Sequence, residues 1–317
     1  MNPTGRLCLD RIEAAAAAID PVFLGTPQFV CEPLGETLGV RLALKIETMN
    51  PIRSFKGRGA DWLVGQADPA LPLVCASAGN FGQAMAYACR TRGLPLTVYA
   101  AEGANPLKVD RMRALGAEVI LRGEDFDGAK GYARAAAGER GARFVEDSAD
   151  IETVEGAGTM GLEWLAFPER IEALLIPLGN GAMFNGIATV IRERRPGTRL
   201  VAVAAAGAPA MVESWRSGRL ITHERIATIA DGIGVRRPVP AALADMRGLV
   251  DEAILVSEGQ IVEAMRLLHR HAGVVAEPSG AVGVAALLEE PGRFAGQTVG
   301  TIVCGGNLTV GQMEAWL

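Results

Sequence analysis

This chain is poor in lysine. Of its 31 basic side chains 27 are arginine and four are lysine, so positions that need only positive charge are mostly filled by arginine. Each lysine then raises the question of whether its amine is wanted. Histidine is scarcer still: His223, His269 and His271 offer no zinc spacing, and no metal site is expected. Aromatics make up 5% of the residues and do not interleave with a basic stripe, and the net charge is −5. Both argue against nucleic acid or an anionic membrane surface as partner and leave small solutes as the expected ligands. The five cysteines are odd in number and include no CxxC pair, which predicts free thiols in a reducing compartment, the cytoplasm. No apolar run reaches transmembrane length. The N-terminus, with Asp10, Arg11 and Glu13 ahead of a short alanine run, lacks the layout of a signal peptide.

What is present is a repeating pattern. Apolar runs of strand length (RLALKIE, LPLVCAS, LPLTVYAA, AEVILRG, ALLIPLG, RLVAVAAA, EAILVS and TVGTIVCGG) alternate with segments of helical period such as GQAMAYACRTRG and NGIATVIRERR. This βαβ alternation predicts an α/β fold with mostly parallel sheets covered by helices on both faces. The acidic, apolar-poor stretch EDSADIETVEG near residue 150 interrupts it, so two lobes are expected. In such sheets ligands bind beyond the C-terminal ends of the strands, at the strand-to-helix turns.

Three turns stand out. In LPLGNGAMFNGIATVIRERR the residues Gly179, Asn180, Gly181, Ala182 and Met183 join a strand to a helix. Small residues at a helix start leave backbone N–H groups open as an anion cradle, and a phosphate is the natural guest. A dinucleotide is the rival, but the spacing is GxGxxxxG and the next strand ends in Ala205, Ala206 and Gly207 with no acid for a ribose. In CASAGNFGQAMAYA, Ser77, Ala78, Gly79 and Asn80 form a second small-residue turn, suited to a carboxylate, with Asn80 either offering an amide to a ring oxygen or serving as a helix cap. In TIVCGGNL, Cys304 ends the last strand, either as a small hydrophobe or as a thiol facing a ligand. A fourth stretch, NPIRSFKGRGA, sets Lys56 after Ser54 and Phe55 in a turn. Lys45, Lys108 and Lys130 read as surface or edge charges.

A lysine, two anion turns, an amide and a thiol are what an enzyme needs to hold pyridoxal phosphate and an amino acid. SFKGRGA, SAGN, the glycine loop, TIADGIGVRRP, VAEPSGA and CGGN stand in the order seen in fold-type-II pyridoxal-phosphate enzymes. From Thr26 to Asn307 the chain resembles their serine/threonine dehydratase and serine racemase group, a tryptophan-synthase-β-like fold. The resemblance implies a large domain, 1–47 and 152–317, binding the cofactor phosphate, and an inserted small domain, 48–151. It implies Lys56 as the Schiff-base lysine, a role no arginine can take because its proton is not released. Phe55 would set the ring edge. Gly179, Asn180, Gly181, Ala182 and Met183 would bind the phosphate, Asn80 the ring oxygen, and Ser77, Ala78, Gly79 and Asn80 the substrate carboxylate. Cys304 would face the ring nitrogen as a neutral thiol, which mutes electron withdrawal and favours elimination. The implied reaction is deamination of L-threonine or L-serine to a keto acid and ammonia by a cytoplasmic homo-oligomer, a dimer.

Departures keep other readings open. Phe81 stands where dehydratases often have histidine after Gly-Asn, and Asn180 and Ala182 interrupt their run of glycines. Glu155 in VEGAGT and Asn180 resemble features of threonine synthases, so a β/γ-replacement enzyme is an alternative, as are an amino-acid racemase and a cofactor-binding protein without turnover. Gly57 and Arg58 after the lysine match the dehydratase pattern, and the acidic metal ligand of racemases is missing. Arg53, Arg236 and Arg237 either select an acidic substrate or form surface pairs.

Overall fold

In the computed structural model, which describes residues 5–317, all eight apolar runs are strands. A run that is apolar at successive positions is stable only with both faces covered, and Leu96–Ala100 and Ala173–Pro177 are buried at every position. Two further strands are three residues long, too short to show a period. In chain order the ten are β1 (Gln28–Val30), β2 (Arg41–Ile46), β3 (Leu73–Ala76), β4 (Leu96–Ala100), β5 (Glu118–Leu121), β6 (Arg143–Val145), β7 (Ala173–Pro177), β8 (Arg199–Ala205), β9 (Glu252–Val256) and β10 (Thr298–Val303).

They form two sheets, ordered β1-β2-β10-β7-β8-β9 and β5-β4-β3-β6. Every pair is parallel except β1 with β2. The chain thus begins the larger sheet, builds the smaller one, and returns. The last strand, β10, inserts between β2 and β7, with Val299 opposite both Leu42 and Ala173. The turns that follow these three strands therefore emerge side by side.

Alternation along the strands divides their side chains between the two faces of the larger sheet. Leu42, Leu44, Leu175, Val201 and Val303 join one buried cluster with Met265 and Leu268, while Ala43, Leu174, Ile176, Leu200 and Ile302 join another with Phe184 and Ile187. Each such leucine or isoleucine contributes about 1.5–3 kcal/mol on burial.

The helix Lys56–Gln66 crosses the helix Ile151–Leu165 at backbone contact. A Cβ on Gly59 would lie 2.6 Å from the Thr153 carbonyl oxygen, and one on Gly156 2.6 Å from that of Arg58. Only glycine fits at either position, and the crossing fixes where Lys56 begins its helix. Beneath it Arg58 is fully buried, donating to Glu47 from Nε at 2.8 Å and Nη2 at 2.9 Å, and to Glu163 from Nη1 at 2.6 Å. Lys45, expected at the surface, is instead wholly buried in this cluster, bonded to Glu163 and 3.7 Å from Glu47. Burial pushes its ammonium toward the neutral form and the neighbouring carboxylates oppose that shift. No helix among the described residues is long and apolar enough to cross a membrane.

Candidate active site

The turns after β2, β3, β7 and β10 surround a cavity of about 410 Å³. Phe55, Lys56, Ser77, Ala78, Gly79, Asn80, Gly179, Asn180, Gly181, Ala182, Met183 and Cys304 all line it, so the structure brings every residue given a site role from the sequence to one place.

Lys56 is the first residue of its helix, and the loop before it is tied down from two sides. Asn50 accepts from the backbone N–H groups of Ile52 and Ser54 and donates to the carbonyls of Glu47 and Ser54. The Phe55 N–H donates to the Cys304 carbonyl at 3.0 Å, and Ser54 Oγ to the same oxygen at 3.3 Å. Ser54 thus pins the lysine turn to the end of β10. Lys56 Nζ lies 4.6 Å from the Phe55 ring centroid and 2.6 Å from Asp147 Oδ2.

In the turn after β7, Gly181 has φ +98°, a left-handed conformation, and a Cβ there would stand 3.0 Å from Asn185 Nδ2. Among the described residues, no backbone N–H from Gly179 to Met183 donates a hydrogen bond. These donors face the cavity at the positive end of the helix Ala182–Arg194. After β3, Ser77 Oγ accepts from the N–H groups of Gly79 and Gly82 at 3.2 and 2.9 Å, holding the turn in shape, while those of Ala78, Asn80 and Phe81 have no acceptor among the described residues.

Asn80 does not cap its helix through its side chain. It donates to Glu277 Oε1 at 2.7 Å and accepts from Asn307 Nδ2 at 2.9 Å. The Glu277 carboxyl is buried, also accepts the Asn307 N–H at 2.9 Å, and is pushed up to about 7, chiefly by burial and then by the charge of Asp231. Burial also pushes the Cys304 thiol far up, so it stays neutral. Its Sγ lies 3.5 Å from the Ser279 carbonyl oxygen, and Ser279 Oγ, in the same wall, has no partner.

Sequence reasoning missed Asp147, Asp231, Glu277 and Ser279 and misplaced Lys108. Lys108, read as a surface charge, is 8% exposed and lines the cavity, its Nζ 2.5 Å from Asp231 Oδ2. Lys130 is half-buried at 3.2 Å from Glu146. TIADGIGV and VAEPSGA pointed to the segments carrying Asp231, Glu277 and Ser279 without giving those residues roles. Asp147 follows β6, whose three residues show no strand signal. Glu155 lies away from the cavity, accepting from Arg11 and from Trp62 Nε1 at 2.7 Å, so it takes no part in the site. Arg236 is engaged with Asp125 and Asp127, as a surface pair would be.

Comparisons with known proteins agree with this geometry. A family model described as "Pyridoxal-phosphate dependent enzyme" matches residues 19–305. The chain is 38% identical over 279 residues to an L-threonine ammonia-lyase of Geobacter sulfurreducens, covering 87% of this chain and 69% of that one. The solved structure of a threonine deaminase from T.th. superposes with TM-score 0.90 at 33% identity, covering 96% of this chain and 99% of the other. Maize serine racemase gives TM-score 0.90 at 28% identity, with coverage of 96% and 95%.

Proposed function

Since the chain belongs to the family of pyridoxal-phosphate dependent enzymes, we propose that its cavity deaminates an L-hydroxy amino acid, L-threonine or L-serine, to a 2-keto acid and ammonia. The observation that carries this reading is the meeting of the Lys56 amine, at the start of its helix, with two turns of open backbone N–H groups in a single cavity. Relatives at 31–38% identity over most of the chain bear the name threonine ammonia-lyase or threonine dehydratase.

The residues present fit the cofactor. The open N–H groups of Gly179 to Met183 would hold its phosphate, and Gly181 supplies the left-handed bend of their turn. Lys56 supplies the amine for covalent attachment, Asn80 would meet the ring oxygen, and neutral Cys304 the ring nitrogen. When bound, the group holds the substrate nitrogen and draws electron density from Cα, which makes the Cα–H acidic.

The chain's own side chains and backbone do the rest. The N–H groups of Ala78 and Asn80 orient the substrate carboxylate, and the Lys56 amine takes the α-proton. A neutral thiol at Cys304 would offer the ring nitrogen no negative charge, which would favour loss of the β-hydroxyl. In this reading residues 48–151, which carry β3 to β6, form the inserted small domain. All five cysteines are free, consistent with a cytoplasmic enzyme, and we expect a homodimer, which light scattering tests.

The functional test is ammonia and keto-acid release over a panel of hydroxy amino acids. 2-Oxobutanoate from L-threonine or pyruvate from L-serine is expected from the natural protein. Lys56→Ala should lose nearly all of that turnover and the absorbance of covalently attached cofactor. Near-natural turnover by Lys56→Ala would sink the reading.

A further inference from the structure

We propose that Asp147 is a second proton-carrying residue of this reaction, the acid that protonates the departing β-hydroxyl. The inference rests on the deamination reading above and adds a step to it. Asp147 lines the cavity, its Oδ2 is 2.6 Å from Lys56 Nζ, and its Oδ1 is buried with no hydrogen-bond partner among the described residues. A buried carboxylate oxygen without a donor is costly unless a ligand supplies one. The substrate's β-hydroxyl can do so.

The carboxylate is held in place. Its turn is closed by the N–H groups of Ala149 and Asp150 donating to the Glu146 carbonyl at 3.1 and 2.9 Å, and by the Glu146 N–H donating to Asp150 Oδ2 at 2.7 Å. The next residue, Ser148, has φ +66°, a left-handed conformation unusual outside glycine, and its N–H donates to Thr153 Oγ1 at 3.0 Å. Backbone strain of this kind persists where surrounding bonds over-determine it, and it clusters at functional sites. Here it aims Asp147 at the lysine.

The step needs Lys56 as the free amine and Asp147 in its acid form, two groups held 2.6 Å apart. Lys56 then takes the proton from Cα, and the electron pair left behind forms the Cα=Cβ bond. The Cβ–O bond breaks with its pair on oxygen, and Asp147 gives that oxygen its proton, releasing water. The substrate has lost one proton and one hydroxide, nothing has been oxidised or reduced, and an ammonium is left beside a carboxylate.

The test compares leaving groups on the loaded enzyme. L-Threonine or L-serine needs a proton on the departing oxygen, whereas β-chloro-L-alanine loses chloride unaided. Asp147→Asn should lower turnover of the hydroxy substrate about a hundredfold or more while chloride elimination changes little. Titration of pyridoxal phosphate into the stripped variant, followed by absorbance, should show it still loading. Asp147→Ala should regain hydroxy-substrate turnover with added formate, a small acid able to occupy the vacated volume, and formate should not affect the chloride reaction. Equal loss on both substrates, no loss on either, or formate without effect would overturn the proposal. Failure of the natural protein on every hydroxy amino acid, with chloride elimination intact, would instead refute the deamination reading itself.

Discussion

Glu277→Gln should change how stability depends on pH, and the size of the change follows from burial. The Glu277 carboxyl is 4% exposed and holds its proton up to about 7, against an ordinary 4.5. Burial is the first cause, Asp231 adds to it, and the charge of Lys108 and the hydrogen bonds from Asn307 and Asn80 only partly oppose it. A group whose proton is held more tightly in the folded than in the unfolded chain stabilises the fold fully below its unfolded value. That stability is lost as pH rises through the folded value. Between about pH 4.5 and pH 7 the natural protein therefore forfeits about 3 kcal/mol through this one residue. Glutamine stays neutral at every pH. It keeps the acceptor for Asn80 and sets an amide against the Asn307 N–H, a penalty that does not vary with pH. The stability of Glu277→Gln relative to the natural protein should thus rise by about 3 kcal/mol from pH 4 to pH 8, since the other titrations cancel in the difference. Urea unfolding of both proteins, stripped of cofactor so that ligand linkage does not contribute, measures it. Stability curves that run parallel across this range would refute the account of Glu277.

The remaining expectations concern the other parts of the site and its support. Gly181→Ala forces a side chain into φ +98° against Asn185, a strain of about 1–3 kcal/mol that should appear as cofactor binding weakened about tenfold or more; unchanged affinity by absorbance titration would mean that the turn does not hold the phosphate. Arg58→Met leaves the buried Glu47 carboxylate with only Thr26 and a lysine 3.7 Å away, so urea unfolding should show a loss of about 3–5 kcal/mol, and a loss below the usual range for exposed ion pairs would contradict the burial. Racemisation of L-serine should be negligible, because Ala78 has no proton to give and Asp147 stands beside Lys56 instead of opposite it; Ala78→Ser should add D-serine detectable by chiral chromatography, and D-serine from the natural protein at rates near keto-acid formation would show a second base elsewhere.

Most strands were legible because a doubly buried parallel strand writes itself as a nearly continuous apolar run, as β3 and β7 do with every position buried, and even the partly buried β5 keeps Val119, Ile120 and Leu121 in succession. β1 and β6 escaped because three residues, only partly buried, carry no period. The oversight at β6 hid more than a strand. EDSAD looked like an acidic interruption between lobes, whereas its second residue, Asp147, stands just beyond a strand end, where side chains of α/β sheets meet ligands.

Lys45 and Lys108 were misjudged for a related reason. A lysine in a strand or helix reads as a surface charge until its counter-charge is known, and the counter-charges here, Glu163 and Asp231, lie 118 and 123 residues further along the chain. No local pattern announces such a pairing. The two small-residue turns, by contrast, were readable because what they present is backbone N–H groups. Their only requirement on sequence is small residues between a strand and a helix, and that requirement is local. What chain order alone could supply was therefore the part of the site that presents open backbone N–H groups. The side-chain pairs of the cavity, Lys56 with Asp147 and Glu277 with Asn80, depend on residues meeting across 91 and 197 positions, and only the folded arrangement of the two sheets brings them within hydrogen-bond reach.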